Sequence, residues 1–123
     1  MAKTVRSRKQ KGSKFQKQVA EIIRKKYNLE ERDVVSTPSS VMGEDILLSK
    51  KAMKVFPYGV EVKCQEKINI WASLKQAEDN NEKMMKRHGK KFTPLLIFKR
   101  NRTKTYVCLE LDDFLKLLKG ENE

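Results

Sequence analysis

Tyr58-Gly59-Val60-Glu61-Val62-Lys63-Cys64 is the stretch on which the fold turns. Val60 and Val62 alternate with Glu61 and Lys63, the period-two pattern of a strand with two distinct faces. Residues two apart on a strand project to the same side. Glu61 and Lys63 therefore share one face in the middle of an apolar strand, where charge is costly unless it is paired or used. The triplet by itself proves nothing: with 11 Glu and 21 Lys in 123 residues, about two E-x-K triplets arise by chance. What surrounds it decides its meaning.

Upstream, Asp45 opens a second apolar strand, Ile46-Leu47-Leu48, and Val34-Val35 forms an earlier one that stops at Ser36-Thr37-Pro38-Ser39-Ser40. Lys50, Lys51 and Lys54 fall in the connection before Tyr58. Phe15, Val19, Ile22 and Ile23 recur at helical spacing, which predicts a helix over 13–27 with Ser13 as its N-cap. Downstream, a helix is expected from about Asn69 or Ile70 to His88, with Gly89 just past its end. Trp71, Leu74, Ala77, Met84 and Met85 make its apolar stripe, and Asn69, Ser73, Gln76, Asn80, Lys83 and Arg87 its polar face. Leu95 to Phe98 reads as a fourth strand entered through Thr93-Pro94, and Thr105 to Leu111 as a fifth. Asp112-Asp113 then caps a short helix, Phe114 to Lys119. The order αβββαββα predicts an α/β sandwich with one central mixed sheet flanked by helices. Residues 1–12 read as a flexible basic arm, 13–119 as a single domain and 120–123 as a tail.

Lys and Arg number 28 against 16 Asp and Glu, a net charge of +12. Residues 1–27 hold ten basic side chains and one acidic, and residues 83–104 hold nine basic and none acidic, whereas from Glu110 onward five acids face two bases. Two basic blocks suit a polyanion; a solvated basic surface is the plainer alternative. Cys64 and Cys108 belong to no C-x-x-C, and with one histidine they fall short of a four-ligand zinc site, so both read as reduced core residues. His88 stands in Lys86-Arg87-His88-Gly89, a helix-end signature. A nuclease built on paired histidines and a Ser-His-Asp hydrolase are thereby disfavoured. The longest apolar run, Leu95 to Phe98, is too short to span a membrane, and the basic N-terminus has no apolar signal core, so a cytoplasmic location is expected.

If the Asp45 strand pairs with the Glu61 strand, their carboxylates converge. Two carboxylates at one point repel each other unless a cation lies between them. Hard oxygen donors suit Mg²⁺, with Mn²⁺ as a substitute, and the carbonyl of Val62 is a further candidate ligand. With Lys63 beside them, the parts suit phosphodiester hydrolysis. The alternative is a structural three-charge cluster. Gln76 is a second-helix candidate for a scissile phosphate, equally readable as a surface glutamine.

Gly43-Glu44-Asp45 followed by Glu61-Val62-Lys63 in this element order resembles the PD-(D/E)XK nuclease superfamily, and within it the archaeal-type and phage Holliday junction resolvases. Lys11-Gly12-Ser13, Trp71 with Gln76-Ala77, and Lys99-Arg100-Asn101-Arg102 add to the likeness, which covers roughly residues 11–118. The resemblance implies a restriction-endonuclease-like fold and a metal-dependent endonuclease, commonly a homodimer, that cuts branched DNA. A phage-borne enzyme of this kind would act in the host cytoplasm. The residue before Asp45 is Glu44 rather than proline. Where archaeal-type resolvases carry a first-helix glutamate this chain has Gln16, leaving Gln16 or Glu21 as the metal-site candidate on that helix.

The favoured expectation is a Holliday junction resolvase with Asp45, Glu61 and Lys63 at its centre and no small-molecule cofactor. A nicking or restriction-like nuclease on the same fold, and a non-catalytic basic nucleic-acid-binding protein, are the alternatives. DNA contacts are expected from Arg6, Arg8, Lys9, Lys11, Lys14, Ser39, Ser40, Lys83, Arg87, Arg100 and Arg102.

Overall fold

The computed structural model describes residues 5–37 and 44–120. Helix α1 (Val5–Tyr27) leads through a 3-10 turn at Glu31–Asp33 to strands β1 (Val34–Ser36) and β2 (Ile46–Leu48). Helix α2 (Lys50–Val55), strand β3 (Tyr58–Cys64) and helix α3 (Ile70–His88) follow, then β4 (Thr93–Lys99), β5 (Tyr106–Cys108) and α4 (Leu111–Lys119). The class is α/β, but the order differs from expectation in one element. The Lys50–Lys54 connection is a helix, capped where the Ser49 hydroxyl accepts from the Ala52 N–H at 3.1 Å.

The strands form two sheets among the described residues rather than one. β1 and β2 pair antiparallel, while β3, β4 and β5 form a mixed sheet with β4 in the centre, parallel to β3 and antiparallel to β5. β2 therefore makes no ladder with β3, and among the described residues β3 keeps one free edge.

Helices cover both faces of β3. Phe15, Val19, Ala20 and Ile23 of α1 share a core with Val60, Val62, Leu95 and Ile97, together with Val34 and Ile46 of the smaller sheet. By strand alternation, Glu61 and Lys63 face the other way, toward α3. Gly59 shares that second face and lets α3 approach: a Cβ there would lie 2.4 Å from Oδ1 of Asn81. The Asn81 amide in turn donates to the Phe92 carbonyl at 2.9 Å, fixing α3 against the entry to β4.

Several boundaries shift. α1 begins at Val5, so Ser13 lies inside the helix rather than at its N-cap. α3 is bounded as expected, by Asn69 accepting from the Ala72 N–H and by Gly89 at φ 64°. Its buried face matches the expected stripe in part: Ala77 and Met84 point inward as expected, but Ser73, Asn80 and Asn81 join them while Trp71 is 82% exposed. The amide N–H groups of Asn80 and Asn81 find partners inside, on Glu61 and on the Phe92 carbonyl. β5 is shorter than Thr105–Leu111, and α4 starts at Leu111 with Glu110 in the cap position, so Asp112 and Asp113 lie in its first turn.

Candidate active site

Glu61 is 2% exposed, at the middle of β3. Its Oε1 accepts from Nδ2 of Asn80 on α3 at 3.1 Å, and its Oε2 stands 3.4 Å from Nζ of Lys63 on the same strand face. Lys63 is 24% exposed, so this buried carboxylate communicates with solvent past an ammonium group.

Asp45 arrives by another route than strand pairing. It sits one residue before β2, and its Oδ2 accepts from the backbone N–H of Val62 at 2.7 Å. That N–H lies on the free edge of β3, so the carboxylate occupies the place a neighbouring strand's carbonyl would take. The Asp45 backbone is held as firmly. Its carbonyl accepts from the Thr37 N–H at 3.0 Å and from Nε2 of Gln16 at 2.8 Å. Gln16, 6% exposed, also donates to the Thr37 carbonyl at 3.0 Å. Thr37 Oγ1 donates to the Glu44 carbonyl at 3.0 Å. A single amide from α1 thus ties together the chain on both sides of residues 38–43.

The electrostatics follow from this packing. Burial pushes Glu61 up from 4.5 to about 7, the neighbouring Asp45 charge adds to the rise, and Lys63 and Asn80 oppose it. Burial also raises Asp45, against the pull of the Val62 N–H and Lys63. Two carboxylates held together at such a disadvantage are poised for a further positive charge.

Beside the half-buried Asp45, Glu44 is fully buried, 2% exposed. Its Oε2 forms an ion pair with Arg87 at the far end of α3, and Oε1 has no hydrogen-bond partner among the described residues. In the sequence Glu44 stands out only for not being proline; in the fold its part-buried ion pair joins α3 to the segment that carries Asp45.

A family model described as "Phage putative PDDEXK endonuclease" matches residues 7–122. The chain belongs to this family. No curated protein and no solved structure matched it.

Within this PD-(D/E)XK chain, Asp45, Glu61 and Lys63 are brought together, whereas the other expected site residues scatter. Gln16 spends its amide on two carbonyls instead of facing the carboxylates. Glu21 is exposed and pairs with Lys25 at 3.0 Å. Gln76 is exposed on α3, one turn before Asn80. Arg87 is committed to Glu44. Lys11 donates to Oδ1 of Asn101 at 3.0 Å, which joins α1 to the turn after β4. Lys14, Lys83, Arg100 and Arg102 are exposed. Ser39 and Ser40, and the side chains of Arg6, Arg8 and Lys9, lie outside the described residues. Asn80 escapes a reading of the sequence that puts it with Gln76 on a polar face of α3. The signal is present in the spacing of Ser73, Ala77, Asn80, Asn81 and Met84, a helical stripe once small and amide residues are admitted to it.

No cluster of three His, Cys, Asp or Glu that could hold a metal occurs among the described residues. The donors that meet here are two carboxylates, those of Asp45 and Glu61. A strand residue's N–H and C=O point to the same side, so the Val62 carbonyl shares the free edge with the N–H that Asp45 engages. These all-oxygen donors fit a hard divalent ion that keeps much of its water, as Mg²⁺ does.

Proposed function

We propose that this endonuclease-family chain is a divalent-metal-dependent, structure-selective DNA endonuclease: a Holliday junction resolvase whose reacting centre is Asp45, Glu61 and Lys63. The observation that supports it most is the convergence of two carboxylates with raised pKa, the buried Glu61 and the half-buried Asp45, on an ammonium that reaches solvent. A purely structural cluster has no need to hold two acids at one point, whereas a site for a dication does.

The chain's own groups divide the work. Asp45 and Glu61 would hold Mg²⁺, with the Val62 carbonyl beside them. When bound, the ion supplies Lewis-acid polarisation of the phosphate ester. Lys63 stabilises the negative charge that grows on the phosphoryl oxygens. Asn80 orients Glu61 and favours its ionised form against the burial that opposes it. Gln16 and Thr37 position the Asp45 backbone. Because β3 and β4 are parallel, their C-terminal ends lie side by side. This puts Lys63 near the exposed basic turn of Arg100 and Arg102. Phosphates tracked by that turn lead toward the carboxylates. A basic groove reads backbone geometry rather than bases, which suits a branched substrate.

The test uses end-labelled four-way junction, linear duplex and single strand, each with and without Mg²⁺. The expected result is paired, symmetric cuts in the junction that require the metal and disappear in Asp45→Asn. Junction binding should persist in that variant, since a repelling charge is removed. Undiminished cleavage by Asp45→Asn overturns the site. Nicking of plain duplex alone leaves the chemistry and removes the resolvase reading.

A further inference from the structure

α4 carries an apolar stripe that nothing among the described residues covers. At about 100° per residue, Leu111, Phe114, Leu115 and Leu118 fall within one sector roughly 100° wide. They are 67%, 45%, 43% and 69% exposed, and no residue of this helix is buried. Scattered surface leucines are ordinary, but a contiguous stripe is a contact surface. Length sharpens the point. Helices shorter than about 12 residues are marginal in water without packing, and α4 has nine.

Charge identifies what covers it. The molecule carries +12, yet α4 and its cap hold Glu110, Asp112 and Asp113 against Lys116 and Lys119. Here, unlike on the basic blocks, two copies of this chain do not meet with an excess of positive charge. The stripe is also self-complementary: it repeats when read backward about the midpoint of Phe114 and Leu115. Antiparallel pairing therefore seats Leu111 on Leu118 of the second copy, and Phe114 on its Leu115. Asp112, Lys116 and Lys119 lie together on one flank of the stripe. Antiparallel pairing places Asp112 of one copy between Lys116 and Lys119 of the other, and the arrangement repeats by symmetry. Parallel pairing sets Asp112 against Asp113 instead. β5, which leads into α4, is a sheet edge with Tyr106 54% and Val107 57% exposed. The two lie on opposite faces of the strand, so one of them at most extends the apolar surface of the helix, which alone falls short of the roughly 800 Å² per partner of a stable interface.

We infer that α4 is the dimer contact of this chain, two copies packing antiparallel about a twofold axis between Phe114 and Leu115. The inference does not depend on the nuclease reading, because its readout is mass. Sedimentation equilibrium of the full chain, without DNA or metal, is expected to show a dimer at micromolar concentration. Leu115→Glu should weaken it at least tenfold. Asp112→Lys and the double variant Lys116→Asp/Lys119→Asp should each be monomeric with unchanged circular dichroism. Mixed in equal amounts, these two charge variants should associate, since every flank pair again brings opposite signs together. A monomeric wild type, a dimer indifferent to Leu115→Glu and the charge changes, or variants that fail to associate on mixing would each overturn the inference.

Discussion

Asn80 and Glu61 meet at 3.1 Å across the layer between α3 and β3, the amide donating to a carboxylate that is 2% exposed. This bond lowers the Glu61 pKa against the burial that raises it. With Lys63 it therefore favours the charged form of the proposed metal-holding carboxylate against burial and the Asp45 charge.

Asn80→Ala should move the acid limb of the cleavage profile to higher pH, and Asn80→Asp should move it further by adding a repelling acid. Leaving a buried acceptor without its donor costs about 1–3 kcal/mol, so thermal melts should drop by several degrees. A pH–rate profile unchanged in its midpoint would make Asn80 a packing residue only.

Glu61 itself predicts how stability varies with pH. Its carboxyl titrates at about 7 in the fold against 4.5 ordinarily. The folded state therefore binds the proton more tightly than the unfolded chain. The contribution of Glu61 to stability is complete below pH 4.5 and is lost as pH rises from there through 7, by on the order of 3 kcal/mol. Glu61→Gln should remove this slope, melting above wild type at pH 8 and level with it near pH 4. Mg²⁺ should restore wild type at pH 8 and leave Glu61→Gln unaffected, because only a carboxylate pair gains from the ion. Melting curves across pH 4–8 with and without Mg²⁺ measure all of this.

The strand pattern of β3 and the caps of α3 are legible in the sequence because they are local. Alternation around Glu61 needs no partner, and Asn69 and Gly89 satisfy helix ends by themselves. What stays hidden depends on tertiary packing. The basic run before Ser13 has no apolar periodicity, yet it continues the helix whose inner face is Phe15, Val19 and Ile23. The Ser49 cap of α2 is readable, but six residues give no period to detect. The sequence puts Asp45 near Glu61 by way of a ladder between their strands. The fold achieves the convergence differently, with a side chain on a free strand edge. Asn80 and Arg87 look solvated in the sequence because their buried partners, Glu61 and Glu44, are 19 and 43 residues away.

Lys63→Ala should reduce kcat for junction cleavage by about two to three powers of ten, the scale of losing one preorganised stabiliser. Junction affinity should stay within about threefold, since the variant gives up a single phosphate partner among many. Lys63 also opposes the rise of Glu61. Its removal should therefore destabilise the fold at pH 8, where Glu61 is charged, and spare it at pH 5. A variant unstable at both pH values but fully active per folded molecule would point to a structural ion pair instead.

Arg87 carries a charge that the sequence offers to DNA, and its ion pair with Glu44 predicts another phenotype. Arg87→Met leaves Glu44, 2% exposed, charged and alone. Breaking a fully buried pair from one side costs about 3–5 kcal/mol. Arg87 is 37% exposed, so solvent screening brings the expectation to roughly 1–3 kcal/mol. Arg87→Met/Glu44→Gln should recover most of that loss. The salt dependence of DNA binding should match wild type in both variants. A flatter salt slope with an unchanged melting temperature would return Arg87 to the DNA face.

Arg100 and Arg102 offer the opposite case. Both are exposed in the turn that follows β4, and that turn is anchored from two sides. Nζ of Lys11 donates to Oδ1 of Asn101 at 3.0 Å, and the Asn101 N–H donates to Oε2 of Glu66 at 2.6 Å. A basic turn held rigid near the end of the strand that carries Lys63 presents its charges without an ordering penalty on binding. Removing one phosphate-neutralising cation lowers the slope of log affinity against log salt by about one. Arg100→Ala/Arg102→Ala should therefore flatten that slope by about two for junction and linear duplex alike, with melting temperature unchanged. Lys11→Met should weaken binding by a different cause: it frees the turn and leaves Arg100 and Arg102 in place. Its affinity loss should be smaller. Fluorescence anisotropy with labelled junction across a series of salt concentrations separates the two effects, and a slope equal to wild type in the double variant would remove this turn from the DNA path.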